Sequence, residues 1–193
     1  MGEKKVDLVH IDEHYDCLGS YHESWLKAYP TEIKKLSLKE YMDYPWKDHG
    51  HNTPLFRFDN YLSLFMDYHK DQVDGVLLCT HLDGDKPRFE HKEIPIPNLL
   101  GFLNARINNI SVPTIINLDL DYFTETGFEK PVEIFSRDYI QEIAEMIKKG
   151  LGNNSVLALT VALSPEFTGS WTLAEELATF VLKHIGYDFE LSI

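Results

Sequence analysis

Cationic side chains are scarce in this chain. It sets 18 lysines and arginines against 31 aspartates and glutamates, a formal net charge of −13 over 193 residues. Such a balance argues against wrapping nucleic acid or lying on an anionic membrane, because both depend on Lys and Arg to neutralise phosphate. Cysteine is rarer still. Cys17 and Cys79 are the only two, with no CxxC pair. They make no disulfide framework, so a reducing, cytoplasmic setting is expected. Long apolar runs are also missing, and none approaches the ~20 residues of a membrane span. Between Met1 and the first apolar run stand only Gly2-Glu3-Lys4-Lys5, which leaves no room for a signal peptide.

Apolar residues make up 44% of the chain and aromatics 12%, enough for a real core. Four short apolar runs read as strands: residues 6–12, 73–80, 112–121 and 156–163. They are continuous rather than alternating, and helical patterns lie between them. That is the signature of a parallel sheet covered on both faces, so the expected fold is α/β, a three-layer α/β/α arrangement with a mostly parallel sheet. No repeat, low-complexity tract or linker interrupts the chain, and residues 1–193 read as a single domain.

Local signals place the other elements. Residues 21–28 read as a short helix. Ser37 and Glu40 have capping-box spacing for a helix through Met42. Residues 44–57, with Pro45, Gly50 and Pro54, read as a long loop containing Asp48-His49-Gly50-His51-Asn52. Asp59 is positioned to cap a helix from Asn60 to His69. Residues 88–96 read as an edge segment, residues 99–107 as a helix, and Ser136 as the start of another helix ended by Gly150 or Gly152. A last helix is expected over about 172–184, with a final strand over 187–193.

Chemistry concentrates at strand ends. The first strand runs Val6-Asp7-Leu8-Val9-His10-Ile11-Asp12-Glu13-His14-Tyr15-Asp16, and the third closes on Asp119-Leu120-Asp121. Alternation puts His10, Asp12, His14 and Asp16 on one side wherever the backbone stays extended. Four carboxylates and an imidazole at the carboxyl ends of buried strands suit Mn²⁺, with Zn²⁺ or Fe²⁺ as alternatives. Without a cation or donors, burying them would cost several kcal/mol per charge, which is on the order of the whole stability of a domain. If one or two carboxylates bridge, there are ligands enough for two ions.

These residues carry a resemblance. Asp12-Glu13-His14-Tyr15-Asp16 is similar to the Asp-Ala-His-x-Asp motif of the arginase and agmatinase family. Asn117-Leu118-Asp119-Leu120-Asp121 is similar to its later Ser-x-Asp-x-Asp motif, in the same order along the chain. Phe58-Asp59-Asn60-Tyr61, Leu118 to Phe123, and Leu163-Ser164-Pro165-Glu166-Phe167-Thr168-Gly169 resemble a small divergent branch that includes peptide arginases. The resemblance implies two Mn²⁺ ions bridged by Asp12 and Asp119. His14 and Asp121 would complete one shell, and Asp16 would bind the other ion and orient the hydroxide. Glu166 would pair with a guanidinium, and His51 could carry a proton to the leaving amine.

The family's upstream Gly-Gly-Asp-His segment has no counterpart here, so its imidazole must come from elsewhere or be absent. His10, His22, His49, His51 and His81 are the candidates, with His10 expected in a supporting role and His81 in the right layer for the site. The resemblance and the short length together imply an enzyme that converts arginine residues of a peptide to ornithine with release of urea. A single-metal, deacetylase-like amidohydrolase and a non-catalytic metal-bound interaction module are the alternatives. Asp-x-Asp glycosyltransferases leave the first motif unexplained, and metallophosphatases would need a Gly-Asn-His segment that is absent. The peptide's identity and the oligomeric state are not encoded in any of these motifs.

Overall fold

A computed structural model describes residues 5–48, 51–108, 112–125 and 131–190. In chain order the elements are β1 (Val6–His14), α1 (His22–Ala28), α2 (Leu38–Met42), β2 (Pro45–Asp48), β3 (His51–Pro54), α3 (Tyr61–His69), β4 (Val73–Asp83) and β5 (Lys92–Glu93). They continue with α4 (Leu99–Ile107), β6 (Thr114–Asp119), β7 (Thr124–Glu125), β8 (Val132–Glu133), α5 (Arg137–Gly152), β9 (Val156–Ala162), α6 (Pro165–Thr168) and α7 (Trp171–Ile185). The fold is α/β, built on a five-stranded sheet flanked by helices, in keeping with the expected three-layer class. Among the described residues no helix is long and apolar enough to cross a membrane.

Contacts between residues divide the chain into two compact units. The first comprises residues 1–14, 72–83 and 90–193 and holds the sheet, in the order β5-β4-β1-β6-β9 with every neighbouring pair parallel. The chain builds outward from β1 to β4 and β5, then returns to lay β6 on the other side of β1. The order therefore reverses between β1 and β6, and the crevice outside their carboxyl ends is where open α/β sheets place ligands.

One face of this sheet, with Val9, Ile11, Ile116 and Leu118, packs against Leu103 and Ile107 of α4, Ile140, Ile143 and Ile147 of α5, and Leu177 and Val181 of α7. Each such side chain contributes ~1.5–3 kcal/mol when fully buried. The helix α5 forms because Ser136 caps it, accepting from the Tyr139 N–H, and because its apolar residues recur at helical spacing. It approaches β9 closely at Gly150, where an added methyl would come within 2.5 Å of Val156 Cγ2.

The two sheet edges differ. At one end β5 is two residues long, charged, and followed by Pro95 and Pro97, as edge strands usually are. At the other, β9 is seven residues without a charge, and Leu157, Ala158, Thr160 and Ala162 are exposed. Its apolar run therefore marks an edge strand and not the buried strand its composition suggests.

The second unit comprises residues 15–71 and 84–89. Its core gathers Trp25, Trp46, Leu55 and Leu64, and the Trp46 Nε1–H donates to Ser24 Oγ at 3.1 Å. The Ser37–Glu40 capping box forms as expected. The stretch expected as a loop instead pairs β2 with β3 as an antiparallel ribbon, its prolines at the strand ends where no ladder bond is lost. The N-cap of α3 is Asn60 rather than Asp59. The buried Asn60 side chain accepts from the Arg57 N–H and donates to the Leu55 carbonyl, so it fastens the turn before the helix.

Past α7, residues 187–190 have no regular structure, and the remainder of the expected final strand lies outside the described residues.

Candidate metal centre

The carboxyl ends of β1 and β6 bring together Asp12, His14 and Asp121. One ligand atom from each lies within 4.8 Å of the others. Asp12 and Asp121 are each 1% exposed, so their charges are almost fully removed from water. His14 Nδ1 faces both, 3.2 Å from Asp121 Oδ2 and 3.5 Å from Asp12 Oδ1. The main chain braces the group. Asp12 Oδ1 accepts the His14 N–H at 2.6 Å and Asp121 Oδ1 accepts the Glu13 N–H at 3.1 Å. The first closes the end of β1 on itself, and the second ties it to the single turn of 3-10 helix at Leu120–Phe123 that follows β6.

Asp119 stands one step earlier on β6. Its Oδ1 accepts the Asp121 N–H at 3.2 Å and its Oδ2 accepts the Ser164 hydroxyl at 2.5 Å. Burial, reinforced by the charge of Asp121, pushes its carboxyl up to about 6, while those two donors pull the other way.

The imidazole of His14 reports the local charge. Burial would lower its pKa, but the hydrogen bonds and charges of Asp12 and Asp121 reverse this and raise it to about 11. A proton on His14 thus stands where a cation is wanted. Its other nitrogen, Nε2, lies 3.9 Å from Asp83 Oδ2, and its ring meets Phe167 edge-on at 4.4 Å. Glu13 joins His14 and Asp83 in a second close group within the same unit. Burial is the main reason its carboxyl rises to about 7, with Asp121, Glu125 and Asp83 adding to it and His14 opposing.

Two buried carboxylates and an imidazole nitrogen facing one point fit a divalent cation in number and in chemistry, as hard oxygen donors with one borderline nitrogen. Asp12, Asp121 and His14 Nδ1 would hold it. Asp83, exposed and 3.9 Å from His14 Nε2, adds a negative charge on the far side of the ring at ion-pair distance.

The remaining sequence candidates distribute as follows. Asp16 lies in the second unit, which begins at Tyr15, and its backbone is left-handed, φ 50, so the extended strand ends before it. His10 is fully buried below Asp12 with both ring nitrogens engaged. His81, on β4, is half-buried, and its ring lies beside Tyr122 and Phe135. Its Nε2 has no hydrogen-bond partner among the described residues. Burial lowers its pKa, against the charges of Asp121 and Glu125, so it stands neutral beside the carboxylates without joining either close group.

Glu166 is exposed on α6, next in sequence to the Phe167 that covers His14. It does not cap the following helix, a role taken by Ser170. His22 is bound through Nε2 to Asp67 at 2.6 Å within the second unit. His51 lies on β3, but its side chain, like all of His49, lies outside the described residues. Both cysteines are buried, and burial pushes the Cys79 thiol up to about 11, which leaves it inert at neutral pH.

The motif reading gave no role to three contributors: Ser164 on Asp119, Asp83 beside His14, and Asn117 against His10. Asn117 and Ser164 stood inside the motifs, and Asn117 also shares its strand face with Asp119, two residues on. No family model matches the chain, and no curated protein matches it significantly.

Proposed function

We propose that the chain is a manganese-dependent hydrolase that converts arginine residues of a peptide to ornithine, with water consumed and urea released. The observation that carries this reading is the meeting of Asp12, His14 and Asp121 at the switch point between β1 and β6. The motif resemblance to arginases supplies the substrate class. A divalent cation held there supplies a nucleophile at neutral pH by acidifying water.

The protein's own groups do the rest. Asp12, Asp121 and His14 Nδ1 would hold the ion, with the charge of Asp83 on the far side of the His14 ring. Asp119, whose ionised form the Ser164 hydroxyl favours, adds negative charge beside Asp121. Exposed Glu166 is free to pair with a guanidinium, whose planar fork suits a carboxylate. His81, neutral at pH 7, is available to move a proton to the departing amine. An acidic surface, net −13, attracts a basic peptide.

The test is urea release from an arginine-containing peptide with Mn²⁺, alongside free arginine and agmatine. The expected product is a peptide lighter by the mass of urea less that of water. No urea from any guanidine substrate, with metal shown to be bound, would overturn the reading.

One observation favours a second reading. The close group within the first unit, an Asp-x-His pair plus one later Asp, is the ligand set of single-metal, deacetylase-like enzymes on this kind of fold. Elemental analysis showing one Zn²⁺ per chain, with acetate released from an acetylated peptide, would decide for it.

A further inference from the structure

His10, Asn117 and Thr160 stand directly opposite one another on β1, β6 and β9, in register across three parallel strands. Their side chains form a continuous hydrogen-bonded row. The Thr160 hydroxyl donates to Asn117 Oδ1 at 2.5 Å, Asn117 Nδ2 lies 2.9 Å from His10 Nδ1, and His10 Nε2 lies 3.1 Å from the His14 carbonyl. His10 Nε2 is also 3.5 Å from Asp12 Oδ2.

The direction of the row follows from its last member. A carbonyl oxygen only accepts, so His10 Nε2 must carry the proton. The neutral ring then offers a lone pair at Nδ1, which calls for a donor, so the amide nitrogen of Asn117 faces it. The amide oxygen is left for Thr160, whose hydroxyl can turn to donate. The opposite amide orientation would set the lone pair of His10 Nε2 against the His14 carbonyl in a site that is 0% exposed.

We infer that the His14 carbonyl and the Asn117 amide together fix the tautomer of His10, and that His10 is a positioning residue and not a metal ligand: its Nε2–H holds the His14 main chain in its liganding arrangement. This rests on the metal-centre reading above and deepens it. Neither ring nitrogen of His10 keeps a lone pair for a cation. The row runs from an exposed edge residue, Thr160, to the main chain of His14, so the edge strand braces the site from two strands away. Beside this row the pairing of β1 with β4 shifts register between Asp12 and His14, where β4 carries an extra residue and Leu82 has a left-handed φ of 68.

Long-range ¹H–¹⁵N correlation spectra of the metal-free protein, recorded with Mn²⁺ affinities for the wild type, Asn117→Asp and Thr160→Val, test the inference. The wild type should show His10 as the Nε2–H tautomer, unchanged when Zn²⁺ is added. In Asn117→Asp the carboxylate accepts at Nδ1, so His10 should gain an Nδ1–H. Mn²⁺ affinity should then fall roughly 10- to 100-fold, the usual effect of losing a group that orients a ligand. Thr160→Val, at the exposed end where folding is least at risk, should weaken binding in the same direction by less.

A wild-type Nδ1–H tautomer, a Zn²⁺-induced shift of a His10 lone-pair nitrogen, or unaltered affinity in Asn117→Asp would each overturn the inference. Failure of the wild type to bind either metal would instead overturn the metal centre, while the tautomer signal still reports on Asn117 and His10.

Discussion

The Ser164 hydroxyl reaches Asp119 Oδ2 across 2.5 Å from a left-handed backbone, φ 42 and ψ 58. A serine there costs about 1–2 kcal/mol relative to a relaxed conformation. What the strain holds in place is a donor on a buried carboxylate that burial and Asp121 drive toward protonation. Replacing Ser164 by Ala keeps the strain and removes the donor, whereas Gly removes both. Asp119 should therefore titrate above about 6 in both variants, read by carboxyl ¹³C shifts. The Gly variant should be more stable than the Ala variant by about 1 kcal/mol in urea denaturation. Equal titration in all three proteins would show that the hydroxyl does not act on the carboxylate.

His14 makes a prediction about pH. Its folded pKa, about 11, lies above the unfolded value of 6.5, so the stability it contributes is fully present below 6.5 and is lost as pH rises toward 11. His10 and His81 shift the other way and act only below 6.5, Asp119 completes its change by about 7, and Glu13, raised to about 7, completes its change by about 8. The window from pH 8 to 9 therefore isolates His14. In metal-free protein Tm should fall by roughly 5 °C across it, and His14→Gln should flatten the slope. Metal binding must expel the same proton. Calorimetry in buffers of different ionisation enthalpy should accordingly show at least about one proton released per ion at pH 7.5. A flat wild-type profile would mean that Asp12 and Asp121 do not hold a proton on His14.

Strands β1, β4 and β6 were legible because a strand buried in a parallel sheet is a bare apolar run, and in β1 and β6 the run ends abruptly in acids. The helices α4 and α5 were legible from apolar spacing, and α2 from the Ser37–Glu40 pair. Three features were not. The ribbon of β2 and β3 has prolines at its ends and little alternation, so its residues carry the same marks as a loop. In β9 the run Val156–Ala162 looks like a core strand, since exposure depends on which strands lie beyond it and not on its own composition. The left-handed backbone at Asp16, φ 50, is the third, because alternation assumes an extended strand and carries no sign of where one ends. Of the candidate site, motif spacing marked Asp12, His14 and Asp121, but Asn117 and Thr160 are brought to His10 by strand register, and Ser164 to Asp119 by the turn after β9, neither of which a single sequence displays.

Asp119 separates a functional charge from a structural one. Its carboxylate is 7% exposed, repelled by Asp121, and titrates near 6 in place of 3.8. Because the folded pKa is raised, the ionised group opposes folding at every pH above 6, and the penalty is relieved as pH falls from 6 toward 3.8. Asparagine at this position removes the charge and keeps both contacts. The amide oxygen can accept the Asp121 N–H, and the amide nitrogen can donate to Ser164, whose hydroxyl turns to accept. At pH 8 the metal-free Asp119→Asn protein should therefore be more stable than the wild type by about 1–3 kcal/mol. Its Mn²⁺ affinity should be at least ~10-fold weaker, because the negative charge that attracts the cation is gone. Stability gained as metal is lost is what a site maintained for binding predicts. Urea denaturation of the metal-free proteins and Mn²⁺ titration measure the two halves separately. A less stable Asn variant with unchanged affinity would make Asp119 part of the scaffold and remove it from the metal centre.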